Sequence, residues 1–324
     1  MHPLGKVTLF TALIAITISL AGICVYPTVQ SDSQGEAMAQ QISQETKAAK
    51  GFGADQARVD SQITLMIPNG QAAEVYRYLK ARYVAQNGLL QDQFPGMKLS
   101  GKQMSDVSVF TDRYFDTPAL DLYRQSNSCR QRKRLNTTHP DDRKNGRELV
   151  QMKVTPKDNF TLRNELKYEV KPSTRRRTND DVHPLLRQID HNQRADFKQV
   201  YANAGVDAYA LRLVLTIQQT RSRGYLDLDG KNILSFSVDE GGANLLWAKG
   251  GFASVDLGLV EVAYTEADEA MRKTMWAIRT AIIDDLRRQF PDLQQNTESK
   301  YSIVLAQLIQ QIPLIPLLLR FRLL

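Results

Sequence analysis

The sequence predicts an α+β protein, in which a β-rich domain with irregularly inserted helices follows an amino-terminal membrane helix. Three observations support this fold class. Segments with a period of two outnumber helical segments, the strands do not alternate regularly with helices, and one uncharged stretch is long enough to cross a bilayer. The 324 residues allow either two ordinary domains or one large domain with appendages.

The membrane segment lies at residues 7–25, which are almost wholly apolar and carry no charge. Lys6 precedes it and Asp32 follows it. The positive-inside tendency therefore predicts a cytoplasmic amino end and a body exported to the periplasm or another extracytoplasmic space. Two alternatives fit this stretch, an uncleaved anchor and a cleaved signal peptide.

Composition divides the chain into four parts. They are a membrane anchor or signal segment at residues 1–29, a flexible tether at 30–57, the folded domain at 58–310 and an apolar, basic tail at 311–324. The tail either packs on the domain or contacts a membrane surface through Arg320 and Arg322.

Within the folded domain, the hydrophobic periodicity predicts nine strands and three helices. The strands are predicted at residues 59–67, 107–116, 128–135, 148–154, 164–170, 211–218, 222–228, 233–239 and 258–264. The helices are predicted at residues 71–87, 183–204 and 265–290.

The overall charge favours an anionic partner. The chain has 42 Lys and Arg against 35 Asp and Glu, a formal charge of +7 and a pI near 9.3. Only Cys24 and Cys129 are cysteines, which excludes a disulfide scaffold and a cysteine-rich zinc site. No two of the four histidines have metal-ligand spacing, and there is no P-loop motif.

Several predicted strands carry cations on one face, where an ordinary strand would be apolar. The strand at residues 128–135 places three arginines on one face, namely Arg130, Arg132 and Arg134. Later strands carry Lys153, Lys167 and Arg223 on their polar faces. Solvated outer faces are one interpretation, and a barrel with a cationic interior is the other. In a barrel these cations would repel one another, so alanine at Arg132 and Arg134 is predicted to stabilise the empty protein.

Several segments, taken in order, resemble the polyphosphate polymerase domain of vacuolar transporter chaperone (VTC) proteins, a member of the CYTH or triphosphate tunnel superfamily. The first is Tyr114-Phe115-Asp116-Thr117, followed by the basic strand. The remaining segments that carry the resemblance lie at residues 149–153, 223–225, 237–239, 259–262 and 299–301.

The resemblance implies an antiparallel, eight-stranded, tunnel-like β-barrel with flanking helices, which binds polyphosphate or a nucleoside triphosphate. It implies catalytic roles for Lys153, Arg223 and Lys300, and phosphate-binding roles for Arg130, Arg132, Arg134 and Lys167. It further implies that Glu261, Asp60 and Asp239 hold Mg²⁺ or Mn²⁺, which would bridge phosphate oxygens during phosphoryl transfer.

The sequence also departs from the family pattern. The first strand lacks the lysine and all but one acid of the family motif, and Ser235 and Ala263 stand where the family has basic residues. Two hypotheses therefore stay open: a metal-dependent polyphosphate polymerase or triphosphatase, and a catalytically inactive module that binds or scaffolds polyanions. No nucleic acid is expected as a partner, because the basic strands lack interleaved aromatic residues.

Overall fold

The computed structural model describes residues 56–60, 62–85, 88–94, 97–103, 107–135, 146–154, 163–170, 183–260, 263, 266–321 and 323. The predicted membrane segment at 1–29 and nearly all of the predicted tether lie outside these residues. Gln56 and Ala57, which were predicted to end the tether, belong to the first strand. Among the described residues, the helices are all too short or too polar to span a membrane.

Eleven antiparallel strands form one sheet in the described part of the chain. They are β1 (Gln56–Asp60), β2 (Gln62–Met66), β3 (Leu99–Gln103), β4 (Ser108–Asp116), β5 (Ser128–Leu135), β6 (Glu148–Val154), β7 (Arg163–Glu169), β8 (Arg212–Leu228), β9 (Lys231–Leu245), β10 (Ala248–Leu259) and β11 (Gln294–Asn296). Their order is β1-β7-β6-β5-β4-β8-β9-β10-β2-β11, and β3 pairs with β8.

The sheet curves into a tunnel-like shape because β1, at one end of the strand order, is almost adjacent in sequence to β2, near the other end. β1 pairs with β7 and β2 pairs with β10, although only Ser61 separates the two strands. Two residues of chain span at most about 7 Å, so the opposite sides of the sheet must approach one another. The predicted barrel of eight strands is wrong in its closure, because β1 and β2 pair with different neighbours and no strand among the described residues completes the ring.

Helices flank this sheet, as predicted. They are α1 (Ala72–Leu79), which continues as a π-helix over Lys80–Ala85, α2 (Gly88–Gln93), α3 (Asp121–Arg124), α4 (Arg194–Asn203), α5 (Glu269–Gln289), α6 (Lys300–Gln311) and α7 (Ile315–Arg320). The side chains of Asp268 and Ser299 accept backbone hydrogen bonds at the amino ends of α5 and α6, so both helices begin at a capping residue.

Five predicted elements differ from the structure. The strand predicted at 59–67 forms two strands, β1 and β2, which pair with different neighbours. The helix predicted at residues 183–204 is replaced by 3-10 turns at Leu186–Gln188 and His191–Gln193 before α4, because the chain is extended at Ile189 and Asp190. The strands predicted at 211–218 and 222–228 form one strand, β8. The strand predicted at 258–264 ends at Leu259 and occupies residues 248–259 instead.

The outer face of the sheet is apolar in two regions, and helices cover both. Over one half, Leu65, Phe236 and Val255 belong to a buried cluster with residues of α1 and α5. Over the other half, Val150 and Tyr168 pack with residues of α4. Burial of a large apolar side chain contributes about 1.5–3 kcal/mol, so these clusters hold the polar face inward.

Helix α6 lies against the inner face at one end of the tunnel. The Tyr301 ring stacks on Tyr114 with 5.0 Å between centroids, and the Tyr301 hydroxyl donates to Asp116 over 3.0 Å. Leu305 and Phe252 belong to the same buried cluster. The inner face is therefore apolar at this α6 end, and the charged side chains lie farther along the strands.

Candidate functional site

Strand register places the charged side chains on one shared face. Asp112 of β4 lies directly opposite Arg132 of β5, and Arg221 of β8 lies opposite Asp239 of β9. Residues directly opposite each other in antiparallel strands project from the same face of the sheet. Because the other face is covered by apolar clusters, these charged side chains line the inner face.

Asp112 forms the centre of the first group of charges. The Arg132 guanidinium donates to it twice, with Nε–Oδ1 and Nη2–Oδ2 distances of 2.6 Å each, and Arg130 Nη1 donates over 3.2 Å. Asp112 is fully buried and Arg132 is nearly so. Burial alone would raise the pKa of Asp112, but Arg132 and Arg130 reverse this effect and lower it.

Glu165 of β7 extends this group across β6. The Gln151 amide accepts from Arg130 Nε over 2.9 Å and donates to Glu165 over 3.2 Å. Lys167 Nζ lies 3.0 Å from the Glu165 carboxylate, and Lys153 Nζ lies 3.9 Å from it. The carboxylate therefore holds the two predicted lysines together.

Asp239 and Asp256 form a second group around the amino end of α6. Arg221 Nε donates to Asp239 Oδ1 over 2.6 Å, and the Lys300 ammonium also binds Asp239. Lys300 Nζ lies 2.9 Å from Asp256, which also accepts from the Thr64 hydroxyl over 2.8 Å. Burial alone would raise the pKa of Asp239, but Arg221 and Lys300 hold it far below its usual range.

Gln219 of β8 connects the two groups. Its side-chain oxygen accepts from Arg132 over 3.4 Å, and its side-chain nitrogen donates to Asp239 over 3.3 Å. We call this continuous set the charged belt. With Arg134 and Arg223 it comprises Arg130, Arg132, Arg134, Lys153, Lys167, Arg221, Arg223, Lys300, Asp112, Glu165, Asp239, Asp256, Gln151 and Gln219. Eight basic groups of the belt face four carboxylates, so it carries an excess of positive charge.

Two arginines of the belt have no carboxylate partner in the described part of the chain. Arg134 donates to the Ser108 hydroxyl over 2.8 Å, and Arg223 lies 3.4 Å from the Tyr225 hydroxyl. The Nε atom of each is buried and lacks a hydrogen-bond partner. Burial, together with the neighbouring Arg221 charge, lowers the pKa of Arg223. An anion at this position would supply the missing acceptors.

These two arginines lie at the end of the tunnel opposite to α6, which we call the far end. Arg134 lies opposite Phe110 on β4, two residues beyond the Arg132 position. Arg223 likewise lies two residues beyond Arg221 on β8. The belt therefore runs from paired charges near α6 to unpaired guanidinium groups at the far end.

The predicted metal ligands are not brought together in the described residues. Glu261 lies outside them, and only the backbone of Asp60 is described, in β1. Asp239 is bound by two cations. The described part of the chain contains no group of three His, Cys, Asp or Glu side chains placed to hold a metal ion.

The predicted repulsion between the strand's arginines is wrong for Arg132, since Asp112 binds it from the neighbouring strand. Sequence reasoning missed Asp112, Arg221 and Asp256 as members of the belt. Arg221 was placed in the gap between two predicted strands. Asp112 lies on the same strand as the Tyr114-Phe115 motif, with the same-face spacing of two residues from Tyr114, and that spacing was the available signal.

Protonation of Asp112 and Asp239 should destabilise the protein as the pH falls below about 4. The folded-state pKa values of Asp112 and Asp239 lie below the unfolded value of about 3.9, so their stabilisation is complete above that pH and is lost as the pH falls toward the folded values. Urea unfolding at pH 3, 4, 5 and 7 measures this effect. A free energy of unfolding that rises steadily from pH 5 to pH 3 would contradict this prediction. In the Asp239→Asn variant, the free energy of unfolding should depend less on pH below about pH 4.

No family model and no curated protein matches this sequence. Among solved structures, a Bacillus halodurans protein provisionally described as an adenylate cyclase is similar, with 10% identity, a TM-score of 0.44 and coverage of 79% of this chain and 98% of that chain.

A Hippeastrum protein with a similar provisional description, reported to have a dominant triphosphatase activity, has 14% identity and a TM-score of 0.45, over 76% of this chain and 95% of that chain. The mimivirus capping enzyme triphosphatase has 8% identity and a TM-score of 0.37, over 79% of this chain and 100% of that chain. At such low sequence identities, the activities described for these proteins cannot be assigned to this chain. None of the three is named as a VTC protein, and that finer assignment stays a prediction.

Proposed function

We propose that the inner face of the sheet binds a linear triphosphate or polyphosphate. The observation that carries this proposal is the pair Arg134 and Arg223, whose buried Nε atoms lack hydrogen-bond partners. A buried donor without a partner costs about 1–3 kcal/mol. Phosphate oxygens accept paired hydrogen bonds from a guanidinium group, so a bound phosphate would remove this cost.

A chain of phosphates suits this position better than a single phosphate. Arg134 lies on β5 and Arg223 on β8, with β4 between them in the sheet. Phe110 of β4 lies opposite both Arg134 and Gln219 of β8. Arg223 therefore lies four residues farther along the strand direction than Arg134. With neighbouring strands about 4.8 Å apart and a rise of about 3.3 Å per residue, the two backbones are separated by about 16 Å. A linear polyanion can place separate phosphate groups at both arginines and extend toward Lys300 and Arg130.

The more specific form of the proposal is an enzyme that transfers or hydrolyses phosphoryl groups, similar to a polyphosphate polymerase or a triphosphatase. Lys153, Arg223 and Lys300 would hold the reacting phosphates. Glu261, with Asp60 or Asp239, would hold Mg²⁺ or Mn²⁺, which offsets the charge on phosphate oxygens when bound. Of these acids only the Asp239 side chain is described, and it can turn to a metal only if Arg221 or Lys300 releases it.

A second candidate is a binding module without catalysis, which would hold or scaffold polyanions. The state of Asp239 favours it, because a carboxylate bound by two cations is a poor metal ligand. The predicted export of the body also favours it, because nucleoside triphosphates are scarce outside the cytoplasm. Anchoring of the body to a membrane by residues 7–25 remains part of this proposal.

Calorimetric titration of the full chain in detergent tests the shared binding function. Tripolyphosphate and long polyphosphate are expected to bind far more tightly than orthophosphate, because they contact several basic groups at once. Affinity should fall steeply with salt, since each neutralised phosphate releases counterions. Equal, weak binding of all three ligands, with and without Mn²⁺, would refute the proposal.

Glu261→Gln separates the two candidates. If Glu261 holds a metal, this change is expected to abolish Mg²⁺- or Mn²⁺-dependent phosphoryl transfer while tripolyphosphate binding stays nearly intact. Activity and affinity are measured on the same preparation, with Glu240→Gln as a control on the exposed surface. Retained activity would remove Glu261 from the site. No turnover by the wild-type protein with any metal or nucleotide would leave the binding module.

A further inference from the structure

An exposed apolar patch lies at the α6 end of the molecule. The turn between β9 and β10 and helix α7 with its flanking residues supply its members, which are Leu246, Trp247, Leu314, Leu317, Phe321 and Leu323. Ser237 lies opposite Arg223, and β9 ends at Leu245, eight residues or about 27 Å farther along, where the turn begins. The patch is therefore separate from the far end of the charged belt.

The strand that follows the turn is hydrogen-bonded to the end of α6, the helix that precedes α7. The Lys249 backbone N–H donates to the Gln311 side chain over 3.2 Å, and that side chain donates back to the Lys249 carbonyl over 2.7 Å. Beneath them, Ala248, Ile312 and Ile315 belong to one buried cluster. The turn and the start of α7 therefore rest on the same buried cluster.

The turn itself is unusual in its residues. Leu246 has a φ of +55°, in the left-handed region that hairpin turns normally fill with glycine or asparagine. A branched side chain in that region costs about 1–2 kcal/mol. Leu246 is nevertheless 57% exposed and the following Trp247 is 75% exposed, so neither packs within the domain. Strain combined with exposed apolar area points to a role outside the domain.

The charges around the patch are of one sign. No Asp or Glu occurs at residues 241–255 or 299–324, while Lys249 and Arg320 are exposed. Tryptophan and basic side chains beside an apolar surface are typical of proteins that lie on anionic lipid. A second copy of the chain fits poorly, since a symmetric interface would bring these like charges together.

We propose that this patch docks the domain on the surface of an anionic lipid bilayer. Trp247 and Phe321 enter the headgroup region, and Lys249 and Arg320 face the lipid phosphates. This contact is independent of phosphate binding within the tunnel, and it is additional to the predicted amino-terminal anchor.

The fluorescence of Trp247 tests this contact in the full chain. Trp247 and Trp276 are the two tryptophans, so Trp276→Phe leaves Trp247 as the reporter. In vesicles of phosphatidylglycerol and brominated phosphatidylcholine, its emission is expected to shift to shorter wavelength and to be quenched by the bromine atoms. Anchoring by residues 7–25 alone gives no such signal, because the signal reports the depth of Trp247 itself. Trp247→Phe supplies the background from Trp276.

Charge variants provide the control. Lys249→Gln with Arg320→Gln is expected to reduce partitioning of the patch onto anionic lipid by roughly tenfold or more. Trp247 that stays open to acrylamide and is not quenched by brominated lipid would overturn the proposal. Protection of Trp247 from acrylamide that appears without lipid and increases with protein concentration would also overturn the proposal. It would assign the patch to contact with a second copy of the chain.

Discussion

Replacing Arg132 with alanine is expected to lower the free energy of unfolding by about 3–5 kcal/mol. Arg132 makes two hydrogen bonds of 2.6 Å to Asp112, whose side chain is fully buried. Without Arg132, the Asp112 charge stays inside the protein with only the longer contact to Arg130. Denaturant unfolding at pH 7 measures the loss.

The neighbouring Arg113→Ala is the matched control. Arg113 lies on β4 next to Asp112, but its side chain is exposed, so its removal should change stability by less than about 0.5 kcal/mol. Because the charges interact, Arg132→Ala combined with Asp112→Ala should lose less than the sum of the two single variants. An Arg132→Ala protein that is more stable than wild type would mean that repulsion between arginines prevails after all.

Arg134→Ala combined with Arg223→Ala is expected to weaken tripolyphosphate binding by roughly 10²–10⁴-fold. Each hydrogen bond to a charged group contributes about 1.5–3 kcal/mol, and every 1.4 kcal/mol is a factor of ten in affinity. Stability should stay the same or rise, because neither arginine has a carboxylate partner among the described residues. Calorimetry and denaturant unfolding on the same samples check both parts.

The Arg134→Ala, Arg223→Ala variant and the Arg132→Ala variant test different features of the charged belt. One change removes a buried ion pair, and the other removes cations that lack one. An unchanged affinity would exclude the far end as the phosphate site. A loss of stability as large as that of Arg132→Ala would show that Arg134 or Arg223 has a structural acid partner.

The alternation of residues was sufficient to predict which strands carry cations on one face. Arg130 and Arg132 lie on the inner face, as the period-two pattern of their strand indicated. Their partners were not predictable, because pairing depends on strands that are distant in the sequence. Arg132 meets Asp112 from 20 residues away, and Lys300 meets Asp256 from 44 residues away.

Helix α6 shows a different limit of sequence reasoning. No helix was predicted in the apolar residues from 303 onward, because Pro313 and Pro316 interrupt them, but α6 ends at Gln311, before the first proline. The structure explains this composition, since α6 packs within the curve of the sheet and buries Tyr301, Val304, Leu305 and Leu308.

The strand β10 was misplaced for a related reason. Lys249, Gly250 and Gly251 interrupt the apolar pattern at its start, and the prediction moved to the more regular residues after Gly258. Gly250 is needed there because a Cβ atom would lie 2.7 Å from the Val304 carbonyl oxygen of α6. The glycine that concealed the strand is what allows α6 to approach it.

The most direct test of phosphate binding within the tunnel is a crystal structure of the protein with tripolyphosphate. Phosphate oxygens are expected at hydrogen-bond distance, about 2.7–3.2 Å, from the guanidinium groups of Arg134 and Arg223, with Arg132 still bound to Asp112. Tripolyphosphate bound only on the outer surface, or a carboxylate of the chain itself bound to Arg134 and Arg223, would contradict the proposal.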